Sequence, residues 1–195
     1  MKVAVIGVGV MGSAIAGRLV DCGAEVHLHD RQPDAGRELL ARGAQRAQSA
    51  TAATAAADVV ITSLNSAAIV EAAVFDAGGV AEAANSAKLL IDMSSIDPGA
   101  TSRLAKRLAD ATGMGWVDAP LSGGAPAARE GKLTLMLGGD KADVARAEPV
   151  LALLSARRTH LGPAGAGQTV KLINQILCAL NFLAVAEAVR FAEGN

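Results

Sequence analysis

The sequence predicts an α/β fold: a doubly wound, mostly parallel sheet that ends in one long helix. Three observations carry this. Short β-branched runs alternate with helical segments from the first residue onward. A glycine-rich turn, GVGVMG (7–12), follows the first run directly. From Gln168 to about Glu193 no helix breaker occurs.

KVAVI (2–6) is the first strand, and Gly7 to Gly12 form the turn after it. A helix then runs to about Asp21, with Gly23 as its stop. EVHLHD (25–30) is a second strand, and a helix is expected from about Pro33 to Arg42. Ala47–Ala57 reads as a weak helix, its alanines diluted by Thr and Ser. DVVITSL (58–64) and AKLLIDMS (87–94) are the third and fourth strands. Asp97–Pro98 opens a helix, Asp at the cap and Pro at the first helical position, and Gly113 closes it. WVDAP (116–120) and KLTLMLGG (132–139) are strands five and six. Asp140 caps a helix to about Leu154, and RRTHLG (157–162) is a last short strand.

The final segment is different in kind. Val170, Ile173, Ile176, Leu177, Leu180, Leu183, Val185 and Val189 occupy more than one helical face. Such a helix must be covered on all sides. The chain stops at Glu193–Gly194–Asn195, so either a second chain covers the helix or the sequence is a piece of a longer protein. The apolar stretch Leu172–Ala186 is read as a buried helix and not a membrane span. It carries Asn174, Gln175 and Asn181 and is shorter than the roughly 20 residues a bilayer needs.

Composition narrows the function. The 195 residues hold one full domain and a remainder, and 51% of them are hydrophobic, enough for a sizeable core. A net charge of −1 gives no electrostatic reason to expect nucleic acid or an anionic membrane. Three Phe, one Trp and no Tyr argue against a base-stacking platform. Cys22 and Cys178 have no metal spacing and are expected to be buried free thiols. The first apolar run is broken at once by glycines, unlike a signal peptide, so a cytoplasmic, soluble protein is expected.

The context of GVGVMG makes it a candidate dinucleotide site on a Rossmann-type sheet. Gly7 permits a tight turn, Gly9 lets the backbone approach a pyrophosphate, and Gly12 lets helix and strand pack closely. The helix N-terminus offers N–H groups and a positive dipole to phosphates. The second strand ends in Asp30, which would accept hydrogen bonds from a ribose diol. A 2′-phosphate there would meet a carboxylate, so NAD is favoured over NADP. Arg31, beside it, could stack on adenine or bind a phosphate.

Four ordered motifs extend this. GVGVMGSAIAGRL, DMSSIDPGATSRLA, DAPLSGGAPAAREGKLTLMLGGD and GPAGAGQTVKLINQ together resemble the β-hydroxyacid dehydrogenase family over essentially the whole chain. The resemblance implies NAD-dependent interconversion of a small hydroxyacid and its semialdehyde. It implies that Lys171 is the catalytic lysine, an ammonium that protonates a carbonyl oxygen and stabilises a developing alkoxide. Apolar surroundings should depress its pKa. Ser122, Gly123 and Gly124 match the substrate loop, where a hydroxyl and exposed N–H groups can hold a carboxylate. Val10 and Met11 in the glycine turn, Leu64 and Asn65 at the end of the third strand, and Ser95 fall at cofactor positions. Asn174 and Gln175 fall at substrate positions.

Three departures stand out. The family usually has Asn four residues after the lysine; here it is Gln175, preceded by Asn174. KLxNQ and DMSSI are similar to the branch that reduces tartronate semialdehyde. Asn65 stands where the family often has Pro. The family also continues into an all-α C-terminal domain with a second substrate-side lysine, whereas this chain ends inside the joining helix. The expected division is therefore residues 1–162 for the NAD-binding unit and 163–195 for the long helix. A homo-oligomer through residues 170–190 is expected, since a wet apolar stripe is costly at roughly 25 cal/mol per Å². Imine reductases share the expected fold but generally lack the lysine and prefer NADP; Lys171 and Asp30 speak against them.

Overall fold

The computed structural model describes residues 1–194. Strands β1 (Lys2–Ile6), β2 (Glu25–His29), β3 (Gln45–Arg46), β4 (Val59–Thr62), β5 (Leu89–Asp92) and β6 (Gly115–Asp118) form a parallel array in the order β3-β2-β1-β4-β5-β6. β7 (Leu121–Ser122) and β8 (Leu133–Gly138) extend it. β8 runs antiparallel to β6 and β7 and parallel to β9 (Ser155–Gly162). The expected doubly wound, mostly parallel sheet is therefore present. The order in which strands are added reverses between β1 and β4, and this switch point is where such sheets bind ligands.

Helices cover both faces. They are α1 (Val10–Asp21), α2 (Arg37–Leu40), α3 (Ala50–Ala55), α4 (Ala67–Phe75), α5 (Pro98–Thr112), α6 (Gly124–Glu130), α7 (Lys141–Leu154) and α8 (Ala166–Glu193). Alternation along the strands sends side chains into two cores. Val3, Val5, Val59, Ile61, Leu89 and Ile91 pack with α1 and α7 residues such as Ile15, Leu19 and Leu151. Ala4, Ile6, Val60 and Leu90 pack with Val70 of α4 and Leu104 and Leu108 of α5. Each fully buried Val, Leu or Ile contributes roughly 1.5–3 kcal/mol.

Local chemistry explains the boundaries. Asp97 caps α5: its Oδ1 accepts from Ala100 N at 2.7 Å, Pro98 is the first helical residue, and Gly113 ends the helix at φ 73°. Ser49 and Ser66 cap α3 and α4 in the same way.

The helix expected from Pro33 to Arg42 is only the single turn Arg37–Leu40. Gly36 takes a left-handed φ of 68° close to Val8 and Leu28, so the chain turns there before it can coil. Asp140 sits at the start of α7, but its side chain makes no capping hydrogen bond. Cys22 and Cys178 are free, yet both are half-buried and not buried: Cys22 is the C-cap that ends α1, and Cys178 lies on α8, most of whose surface is exposed. Five elements were not anticipated: β3, α4, β7, α6 and a 3-10 helix at Val80–Ala83. The strands are two residues long, and α6 is a seven-residue helix between glycines. α4 is apolar with almost no amphipathic contrast, so periodicity does not mark it.

Candidate active site

The glycine turn sits at the C-terminal end of β1. A Cβ on Gly12 would overlap the carbonyl oxygen of Gly7, and one on Gly7 would come within 2.7 Å of Leu64 Cδ2. The turn is thus pressed between α1 and the loop after β4. Gly9 differs: it is exposed, and a Cβ there would meet open space. No side chain caps α1, whose N-cap is Gly9, so its first-turn N–H groups face outward for an anion. Val10 is 76% exposed at this mouth, and Met11 is half-buried.

Asp30 grips the same turn. Its Oδ2 accepts from Val8 N at 2.7 Å and its Oδ1 from Gln32 N at 2.8 Å. A carboxylate has about four lone-pair sites, so two remain for a diol. Arg31 is exposed beside it. The cradle therefore fits a dinucleotide: a gap at Gly9, free N–H groups at a 12-residue helix, and a half-committed carboxylate at the end of β2.

Around the C-terminal strand ends the loops are tied together. Leu64 N donates to Ser94 Oγ at 3.0 Å, joining the loops after β4 and β5. Asn65 and Ser95 are exposed next to them. Gln168, 1% exposed, reaches the same loop from α8: its Nε2 donates to Ser94 O at 2.8 Å and its Oε1 accepts from Ile96 N at 3.2 Å. One helical turn later Lys171 is half-buried, and its Nζ donates to Leu121 O at 2.8 Å. Leu121 precedes Ser122, Gly123 and Gly124, so the amine lies at the root of that loop. Gly123 (φ 120°) and Gly124 (φ 68°) take backbone conformations that L side chains rarely adopt, and α6 starts from them. Burial holds the Lys171 pKa below 10.5, with the Cys178 thiol opposing that more weakly. Asn174 and Cys178 share its half-buried face at helical spacing, whereas Gln175 is exposed.

Two buried acids escaped the sequence reading. Asp92 and Asp118 are register partners at the ends of β5 and β6. Asp92 Oδ1 accepts from Thr62 Oγ1 at 2.8 Å and from Ser94 N at 3.1 Å, while its Oδ2 has no hydrogen-bond partner among the described residues. Asp118 accepts from Gly165 N at 2.8 Å and Gln168 N at 3.0 Å. Burial raises the pKa of both above 3.8. The only sequence signal was an Asp closing each of two apolar strands.

The fold and the cradle define a Rossmann-type dinucleotide-binding protein. Residues 2–162 match the family described as the NAD binding domain of 6-phosphogluconate dehydrogenase, and the chain belongs to that family. Among similar proteins is the 2-hydroxy-3-oxopropionate reductase of Escherichia coli, 40% identical over 98% of this chain and 65% of its own length. An uncharacterized oxidoreductase of Synechocystis is 38% identical over 98% of this chain and 67% of its own. A solved structure of Mycobacterium tuberculosis 3-hydroxyisobutyrate dehydrogenase with L-serine superposes with a TM-score of 0.91 at 37% identity. It is covered over 65% of its length by 98% of this chain. The chain thus spans about two thirds of such relatives, whose names agree with the resemblance to β-hydroxyacid dehydrogenases. Residues 2–162 are therefore an NAD-binding domain.

Proposed function

We propose that this chain supplies the NAD(H) site and the proton-transfer lysine of an oxidoreductase that interconverts a small 3-hydroxy acid and its semialdehyde. The preferred reaction is reduction of tartronate semialdehyde (2-hydroxy-3-oxopropionate) to glycerate, with 3-hydroxyisobutyrate as the alternative substrate. The observation that carries this is a lysine with a lowered pKa bound to Leu121 O, at the root of the Ser122–Gly124 loop. The names of the relatives support the substrate class. So does the L-serine bound to one of them, itself a small 3-hydroxy acid.

Gly7, Gly9, Val10, Met11 and Gly12 would hold the pyrophosphate, Asp30 the ribose diol and Arg31 the adenine edge. Leu64, Asn65 and Ser95 would line the nicotinamide side. Bound NAD(H) supplies or accepts the hydride. Lys171 donates a proton to the substrate carbonyl oxygen in reduction, or takes one from the hydroxyl in oxidation. Ser122, Gly123 and Gly124 would take the carboxylate through a hydroxyl and N–H groups. Asn174, on the lysine's own face, would orient the substrate, with Gln175 at the outer edge. Residues 1–162 are assigned to the cofactor unit and 163–195 to the helical segment.

NADH consumption with tartronate semialdehyde is the test. Lys171→Ala should lower turnover about 10²–10⁴-fold while NADH affinity persists; turnover within a few-fold of the parent removes the lysine from the chemistry. The acid form is the reactive one in reduction. The rate should therefore fall as pH rises through a midpoint below 10.5.

A second reading follows from α8. Its length and composition would suffice to cross a membrane, and its apolar side chains are exposed. Lys171, Asn174, Gln175, Asn181, Glu187 and Arg190 interrupt the apolar surface along its length, which favours a protein cover over lipid. We assign pairing of two copies through residues 170–190 in the cytoplasm. In this reading the chain could act as a self-associating NAD-binding unit without turnover. A well-behaved monomer in light scattering would overturn the pairing.

A further inference from the structure

Nothing in α8 itself explains why it starts where it does. Its N-cap is Gly165, which has no side chain to cap with, and it stands at φ 94°. Four orphan N–H groups at a buried helix start need acceptors. Asp118 takes two of them from another element: its two oxygens accept from Gly165 N at 2.8 Å and Gln168 N at 3.0 Å, while Ala166 N donates to Pro163 O at 2.9 Å. A carboxylate at this end also meets the positive end of the helix dipole.

The surroundings are built for that contact. A Cβ on Gly138 would stand 2.5 Å from Asp118 Oδ1, and one on Gly167 would stand 2.7 Å from Asp118 Oδ2. A Cβ on Gly165 would reach Pro98 O and Ser102 Oγ at 2.7 Å each. Glycines at these three positions let the helix start, the carboxylate and the end of β8 close on one another. Gln168 adds its two bonds to Ser94 O and Ile96 N. The first turn is therefore fixed both along its axis and about it. Slipping by one residue would move Lys171 about 1.5 Å along the helix and turn it about 100° away from Leu121 O.

We propose that Asp118 is a positioning residue for Lys171: by capping α8 inside the Gly138–Gly165–Gly167 socket, it sets the helix register that places the lysine amine at Leu121 O beside the Ser122–Gly124 loop. This rests on the reading of Lys171 as the proton donor, but its structural part can be tested without turnover.

In the unaltered chain, the amide protons of Gly165 and Gln168 should resist hydrogen exchange as well as those of β6; rapid exchange at both would overturn the cap. Asp118→Asn keeps the size but replaces one acceptor with a donor, and Gly167→Ala disturbs the same contact from the helix side. Both should lower protection at residues 165–168 by about tenfold or more. In both, NMR titration of the Lys171 ε-carbon should move up toward 10.5 as the amine leaves its half-buried seat. Loss of the Asp118 charge alone would push that midpoint down or leave it, so an unmoved or lower midpoint in folded variants rejects the proposal. Where substrate turns over, kcat should drop about 10²-fold with KM little changed. If Lys171→Ala retains turnover while the titration and exchange results hold, the chemistry assigned to the lysine fails and the positioning stands.

Discussion

The sheet and the last helix treat apolar residues in opposite ways. Val3, Val5, Ile61, Leu90 and Ile91 are 0% exposed between two helical layers. On α8, Leu172, Ile176, Leu180 and Phe182 are 52–75% exposed. Only Gly167 and Gln168, in its first turn, are buried. Strands β1, β4 and β5 find their cover within this chain, since each is flanked by other strands and roofed by helices on both faces. α8 is anchored at one end, and most of its surface has no cover among the described residues. Apolar patterning thus says that a surface must be covered, not by what. The anchored end carries the lysine proposed for catalysis, so the helix is most constrained where position matters most.

The comparison can be broken by substitution. Ile61→Ala should destabilise the protein by about 2–5 kcal/mol, because a packed two-layer core cannot close over the hole. Leu180→Ala should change the stability of an isolated chain by no more than about 0.5 kcal/mol. Chemical denaturation checks both, and a Leu180 effect as large as that of Ile61 would mean α8 is covered in solution.

Asp92→Asn should have a smaller effect that depends on pH. Burial raises the Asp92 pKa above 3.8, so the folded state holds the proton more tightly than the unfolded chain. Wild-type stability then declines as pH rises between 3.8 and the raised folded value, and this contribution vanishes in the variant. Melting curves across that range should show the variant gaining on the parent as pH increases. A constant offset would show that Asp92 carries no linked proton. Asp97→Ala, which removes one cap from α5, should cost about 1 kcal/mol by the same measurement.

Much was legible beforehand because it is local. Gly7, Gly9 and Gly12 after a β-branched strand, Asp30 at the end of the next, and the Asp97–Pro98 start with its Gly113 stop are set by short-range sterics and hydrogen bonding. What was missed is either short or non-local. β3 and β7 are two-residue strands that exist only because a neighbour offers a ladder. The expected Pro33–Arg42 helix lost to a left-handed Gly36. Asp118 and Gln168 looked unremarkable in sequence, since Asp118 lies 47 residues from Gly165 and Gln168 lies 72 from Ile96.

By itself, the sequence determined the alternating α/β plan and the tight glycine turn after β1, and it marked out one lysine on an apolar helix, since spacing, glycine and caps act over a few residues. Tertiary structure alone decided that a carboxylate on β6 starts α8, that Gln168 ties it to the β5 loop, and that the lysine amine meets Leu121 O. Those contacts join segments far apart in the chain, and only closing the sheet brings them within hydrogen-bonding distance.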